Sequence, residues 1–214
     1  MKKVIVSFFI LIICKLSLFA SDFELATEAL KSGDLIKANQ LYTESCENKD
    51  VNSCFVLAVM YDNAEGVERD TFKAKSLYEI ACEGNHAEAC YNLGYIYMVG
   101  EIIKQDYSIA KDLFTKSCDG GFGLGCYNLG VIYNEGLDVK QDYSKANKIF
   151  IKACNGGSAE ACNNLGYNYY KGFGTKKDIL KAKESFRKGC DLGYNASCEN
   201  CALLDNKKPN ILKK

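Results

Sequence analysis

The chain reads as an all-α protein, a right-handed α/α solenoid of about five 36-residue helix-pair repeats plus a C-terminal capping helix. Three observations carry that reading. The stretch "CYNLGYIYMVG" at Cys90–Gly100 returns 36 residues later as "CYNLGVIYNEG" at Cys126–Gly136. Two ladders of cysteines step along the chain with the same period. The single proline, Pro209, lies at the C-terminal end, so nothing in the body breaks a helix. A fixed period of roughly 20 to 50 residues marks a stack in which each unit buries its apolar face only against its neighbours.

The N-terminus stands apart from the repeats. Met1-Lys2-Lys3, the apolar run "VIVSFFILIIC" and the segment "KLSLFASD" give a charged start, a hydrophobic centre and a small-residue cleavage region. That is the pattern of a signal peptide over residues 1–20, cut after Ala20. Lys15 stops the run short of the roughly 20 apolar residues a membrane span needs, so no transmembrane helix is expected. "LIIC" at 11–14 has the outline of a lipoprotein box, but Ile13 stands where a small residue should precede Cys14, and no lipid is expected. Cleavage removes three lysines and no acid from a chain with 27 basic and 27 acidic residues, leaving a net charge of −3. Nucleic acid is therefore excluded as a partner. Eleven cysteines remain in an exported chain, which reads as a disulfide framework in a secreted or periplasmic protein.

Residues 21–206 form the solenoid. Its first repeat, with "LKSGDLIKA" at 30–38, has a shorter loop than its siblings and is expected to be the N-terminal cap. The first helix of each later repeat starts near Cys54, Cys90, Cys126, Cys162 or Cys198. It carries leucine three residues on and tyrosine four further, as Leu57 and Tyr61, Leu93 and Tyr97, Leu129 and Tyr133, or Leu165 and Tyr169. That spacing sets both on one face. Gly100, Gly136 and Gly172 stop these helices, with Ala64–Gly66 in the same role earlier. The second helix opens at Asp34, Asp70, Asp106, Asp142 or Asp178, whose carboxylate can cap free amides. Four residues on, Ala38, Ala74, Ala110, Ala146 or Ala182 lets helices approach, and a large pair such as Leu113-Phe114 or Ile149-Phe150 fills the space beyond.

Each second helix ends at Cys46, Cys82, Cys118, Cys154 or Cys190, eight residues before the next first-helix cysteine. The intervening "EGNHAEA", "DGGFGLG", "NGGSAEA" and "DLGYNAS" end one helix and start the next. A lone capping helix at about Asn195–Asp205 completes the count. Residues 207–214, with Lys207-Lys208 and Lys213-Lys214, make a basic tail.

Helix pairs that read L-G, Y, G and then D, A, F/Y resemble the Sel-one-like branch of the tetratricopeptide superfamily. The cysteine pair bracketing each junction resembles, more particularly, the Helicobacter cysteine-rich protein family, over roughly Asp22–Asp205. The resemblance implies helix pairs stapled by one disulfide per repeat junction: Cys46–Cys54, Cys82–Cys90, Cys118–Cys126, Cys154–Cys162 and Cys190–Cys198. It also implies penicillin binding and slow β-lactam hydrolysis, a β-lactamase activity that would contribute to antibiotic resistance. From the tetratricopeptide side it implies instead a non-catalytic groove that grips extended peptides. The expected partners are a β-lactam, a peptide or a peptidoglycan fragment, and a host or envelope protein. No cofactor and no metal is expected: zinc-knuckle cysteines stand about two to four residues apart, and the chain has one histidine.

The groove candidates are Asn92, Asn128, Asn164 and Asn200, each two residues after its cysteine, with Val56 in the first copy. Asparagine is a mediocre helix residue, and its carboxamide offers a peptide main chain both donor and acceptor. The alternative is that each bridges to the neighbouring repeat. Tyr95 and Tyr167, on the same helices, are candidate flat contacts.

No catalytic residue is legible. Ser108–Lys111 and Ser185–Lys188 match Ser-x-x-Lys, and "KSG" stands at 31–33, fragments of the serine β-lactamase pattern. Both serines sit on second helices at positions their siblings fill differently, and Ser185 takes the slot of Leu41, Leu77, Leu113 and Ile149, a core position. His86 occupies a variable turn position, expected to be exposed. "CENC" at Cys198–Cys201 has the spacing of a thiol redox motif, but Cys201 fills the leucine slot and is expected as a small core hydrophobe.

Overall fold

The computed structural model describes residues 21–206; the expected signal peptide with Cys14 and the expected basic tail at 207–214 lie outside the described residues. Within that span are eleven α-helices and no strand. They are α1 (Asp22–Lys31), α2 (Leu35–Glu47), α3 (Val51–Asn63), α4 (Thr71–Glu83), α5 (Ala87–Val99), α6 (Tyr107–Asp119), α7 (Gly123–Glu135), α8 (Tyr143–Asn155), α9 (Ala159–Lys171), α10 (Ile179–Asp191) and α11 (Asn195–Asp205). Two compact units result, one ending at Ala81 and one beginning at Cys82, with the division inside α4.

In the first unit α2 packs on both α1 and α3. A reciprocal capping box starts α1: the Glu24 N–H donates to Ser21 Oγ (3.2 Å) and the Ser21 N–H to Glu24 Oε2 (2.9 Å). Tyr42 is buried and keeps its hydroxyl 3.0 Å from Thr27 Oγ1, satisfying the one polar atom of a core ring. Ala64 ends α3 at φ 59°, a left-handed conformation that costs a residue with a Cβ roughly 1–2 kcal/mol.

The second unit runs through three helix pairs, α5–α6, α7–α8 and α9–α10, and ends on α11. Asp106, Asp142 and Asp178 each accept a hydrogen bond from the backbone N–H three residues on, all at 2.9 Å. Their own N–H groups donate to the carbonyls of Tyr97, Tyr133 and Tyr169, also at 2.9 Å. The loop is thus tied at both ends, and second helices start at a fixed place relative to first helices.

Phe114, Phe150 and Phe186 are fully buried. Their rings lie over the glycine that follows each core leucine: a Cβ on Gly94, Gly130 or Gly166 would come within 2.9, 2.5 or 2.7 Å of the ring. A mid-helix glycine costs roughly 0.5–1 kcal/mol relative to alanine. Packing of the next helix against it is what the repeat obtains in return.

First helices touch their counterparts, α5 to α7, α7 to α9 and α9 to α11. No contact of that extent joins α6, α8 and α10 among the described residues. The first helices therefore form the close-set inner row of this unit and the second helices its outer row.

A disulfide closes at each of the five junctions, Cys46–Cys54 in the first unit and Cys82–Cys90, Cys118–Cys126, Cys154–Cys162 and Cys190–Cys198 in the second, with Cα atoms 4.4 to 4.8 Å apart. The residue before each cysteine is small. Ser53 Oγ donates to Ser45 Oγ at 2.8 Å, Gly125 lies against Ser117, and Gly189 lies against Ser197. A bulkier side chain there would hold the two helices too far apart for the sulfurs to meet.

Candidate functional site

Two consecutive positions after each inner-row cysteine build the site: Tyr91, Tyr127, Asn163 or Glu199, and then the asparagine. Neighbouring repeats engage one another through these positions. The Asn164 carboxamide hydrogen-bonds the Tyr127 hydroxyl, and Asn200 Nδ2 donates to Asn163 Oδ1 at 2.9 Å. Ser197 Oγ donates to the same oxygen at 3.2 Å.

The four asparagines are consequently not alike. Asn92 and Asn164 are half-buried, Asn128 is 8% exposed, and Asn200 is 0% exposed. The reason lies in the preceding repeat: where α7 carries Tyr127, α9 carries the shorter Asn163, and the Asn200 side chain reaches inward to pair with it. Asn200 therefore serves the junction and is withdrawn from the inner surface.

Aromatic rings pave the part of that surface nearest α5. Tyr91 lies 5.2 Å from Phe122, 6.0 Å from Phe114 and 6.3 Å from Tyr95, centroid to centroid. Tyr95 is 48% exposed. Tyr167 is half-buried, 6.4 Å from Phe173 and with the Lys171 ammonium 5.5 Å from its ring. Phe122 and Glu160 line a cleft of about 380 Å³ together with Leu124, Ser158 and Leu192. Burial pushes the Tyr91 hydroxyl above its ordinary value, and Tyr95 and Glu160 push the same way. Burial also raises Tyr127, with Glu160 and Tyr194 adding to it. One carboxylate thus bears on tyrosines of two different repeats.

The serines of the two Ser-x-x-Lys segments are placed differently. Ser108 is exposed, and Lys111 Nζ pairs with Asp112 Oδ1 at 3.2 Å. Ser185 is 8% exposed and donates to the Lys181 carbonyl at 2.8 Å, while Lys188 Nζ donates to Asn155 Oδ1 at 2.8 Å. Ser32 of "KSG" donates to the Ala29 carbonyl at the end of α1. Lys111, Ser185, Lys188 and Ser32 are thus each engaged outside their motifs.

His86, expected in an exposed turn, is half-buried and caps α5, with Nδ1 accepting the Ala89 N–H at 3.2 Å. Its burial lowers its pKa from the usual histidine value, and Glu88 acts in the opposite direction. Ser158 does the same for α9 through the Ala161 N–H, so the turn position is the N-cap of the inner helix. The serine was a signal for that role; the histidine and aromatic siblings concealed it. Cys201 is a free, half-buried thiol packed against the Tyr170–Phe186 cluster, and Cys198 is bonded to Cys190, so "CENC" forms no internal pair.

A buried carboxamide network that the repeat pattern did not announce lies behind the inner row. Asn168 Nδ2 donates to Asn134 Oδ1 and Asn147 Oδ1, both at 2.8 Å, and Asn147 Nδ2 donates to the Phe173 carbonyl at 2.7 Å. Among the described residues no group of three or more His, Cys, Asp and Glu is placed to hold a metal ion, and no helix is long and apolar enough to cross a membrane.

Four consecutive stretches, residues 51–86, 87–122, 123–158 and 159–194, match the Sel1 repeat. Each match runs from the start of the first helix of a repeat to the N-cap residue of the next such helix. The chain is similar in structure to a Sel1 repeat protein from Oxalobacter formigenes, at 24% identity over 81% of this chain and 75% of that one, with a TM-score of 0.72. A protective antigen of uropathogenic Escherichia coli with an SLR fold superposes with a TM-score of 0.81 at 19% identity, over 90% of this chain and 42% of that longer one. Helicobacter pylori cysteine rich protein B is 33% identical over 61% of this chain and 94% of its own, with a TM-score of 0.50. Compared by sequence with curated proteins, the chain has no match.

Proposed function

This chain belongs to the Sel1 repeat family, and from that premise we propose that it works as a non-catalytic scaffold, holding an extended segment of a partner protein on the inner row of its second unit. The observation that supports this most is the half-exposed set Asn92, Tyr95, Asn164 and Tyr167, which recurs at the same places on α5 and α9. Carboxamides can serve the donors and acceptors of a peptide main chain. Tyrosines add flat contact area that loses little conformational freedom on binding. Repeat stacking keeps these groups at fixed intervals, and the disulfides hold the intervals rigid, so less ordering remains to be done when a ligand arrives.

Five disulfides favour an oxidising compartment outside the cytoplasm, consistent with a signal peptide at residues 1–20. A peptidoglycan stem peptide, or a segment of an envelope or host protein, fits the proposed ligand class. The lactam-hydrolysing reading has its support in the family resemblance; Ser185 Oγ donates to the Lys181 carbonyl, and Lys111 pairs with Asp112.

Selection of displayed extended peptides on oxidised, disulfide-intact protein tests the scaffold. Enriched peptides should lose about tenfold in affinity to an Asn92→Ala/Asn164→Ala variant, the worth of one or two hydrogen bonds. Unchanged affinity would remove these residues from the site. Nitrocefin turnover is expected to stay at the level of an inactive-protein control; saturable turnover that survives repurification would make the chain an enzyme.

A further inference from the structure

Charge divides between the two rows of the second unit. The inner helices α5, α7, α9 and α11 carry five acids, Glu88, Glu135, Glu160, Glu199 and Asp205, against one base, Lys171. The outer helices α6, α8 and α10 carry nine Lys and Arg against four acids. Of the inner acids, Asp205 is bonded to Lys183 of α10. Glu88, Glu135 and Glu199 are exposed and Glu160 is half-buried. The chain is nearly neutral as a whole, so this division is a property of the fold and not of composition.

Glu160 differs from the other acids in its surroundings. It stands in the first turn of α9, where the helix dipole favours the ionised carboxylate, and Ser158 Oγ donates to its Oε2 at 3.3 Å. Phe122, whose ring is packed on Tyr91, lines the same cleft, and so do Leu124 and Leu192, apolar side chains that are 39% and 45% exposed. Rings beside a carboxylate suit a cation on a long apolar stem: the faces of the rings attract the charge, the walls cover the methylenes, and the carboxylate pairs with the head.

We propose that the occupant of the inner row is a basic segment of a partner protein, and that the cleft between Phe122 and Glu160 seats one of its Lys or Arg side chains. This rests on the scaffold reading and names the chemistry of the partner. The acidic row draws the basic segment in, and the aromatic seat fixes its register.

Fluorescence anisotropy with the full, disulfide-intact chain tests it, using three pools of labelled nonapeptides: Lys/Arg-rich, Asp/Glu-rich and uncharged. The basic pool should bind at least about tenfold more tightly than either other pool. Glu160→Gln should weaken the basic pool about tenfold, and Tyr91→Leu should weaken it several-fold by removing a ring while keeping an apolar side chain. Glu184→Gln, on outer helix α10, should leave binding unchanged. An acidic or uncharged pool that binds as well as the basic one overturns the basic partner but leaves the scaffold standing. Equal losses from Glu160→Gln and Glu184→Gln, or no loss from either, overturn the seat. Failure of all three pools to bind would instead bring down the peptide-scaffold reading itself.

Discussion

Gly130 lies directly beneath the ring of Phe150, and a Cβ added to it would stand 2.5 Å from Cε1. Alanine is the better helix former by about 1 kcal/mol, yet the ring is fully buried and has little room to retreat. Gly130→Ala is therefore expected to destabilise the protein by about 1–2 kcal/mol net, as overpacked cores do. Urea unfolding of the oxidised protein measures it. Combining the change with Phe150→Leu should recover part of the loss, whereas a single variant as stable as the parent would show that the ring yields freely.

Replacing both Cys154 and Cys162 with alanine removes a link that closes a nine-residue loop. On the chain-entropy account such a loop contributes about 2.5 kcal/mol. That loss should appear as a lower urea midpoint with the other four bonds intact. A much smaller loss would mean that the crossing of α8 and α9, lined by Ala153 and Ala161, holds the junction without the link.

His86 gives the stability a pH dependence of definite sign. Its imidazole accepts the Ala89 N–H through Nδ1 and burial lowers its pKa, so the folded state binds fewer protons there than the unfolded chain. The contribution is complete above the ordinary histidine value of 6.5 and is lost as pH falls through the lower folded value. Between about pH 8 and about pH 5 the parent should lose up to about 1 kcal/mol relative to His86→Ser, the worth of an N-cap. Denaturation midpoints of the two proteins across that range should diverge on acidification, the parent falling away from His86→Ser. Parallel curves would exclude the capping role.

Asn168 donates from one nitrogen to two buried oxygens on Asn134 and Asn147. Asn168→Leu leaves both acceptors without that donor in a low-dielectric site, at an expected cost of about 2–4 kcal/mol. Thermal unfolding will register it. Adding Asn134→Leu should cost less than a second independent lesion, because the two changes then remove the same network.

Much of this architecture was legible because a repeat reports on itself. Five copies of Asp, Ala and Cys at constant spacing indicate where helices start and which face is small, the family resemblance implied which cysteines meet, and Asp178, Ala182 and Cys190 lie where expected. The capping helix α11 occupies Asn195–Asp205, the span expected of it. What stayed hidden depends on the neighbour across the junction. Periodicity assigns Asn164 and Asn200 to equivalent places, but Asn200 is drawn inward because the preceding helix offers it Asn163 where Asn164 meets Tyr127. The glycine of each "LG" was visible as a letter, and its reason, a ring arriving from the next helix, was not. Glu160 gave no sign at all, since its significance comes from Phe122 one repeat away.

Every disulfide here is local, joining cysteines eight residues apart at a single junction. A 36-residue stretch taken between equivalent points of two repeats therefore contains one cysteine of each ladder, and deleting or copying it leaves every remaining junction cysteine with a partner at the same distance. The gene can lengthen or shorten by whole units without ever creating an orphan thiol or a new choice of pairing. Each such step adds or removes one inner-row position, so the reach of the recognition surface can be inherited as a number of units, independently of the chemistry of any one of them.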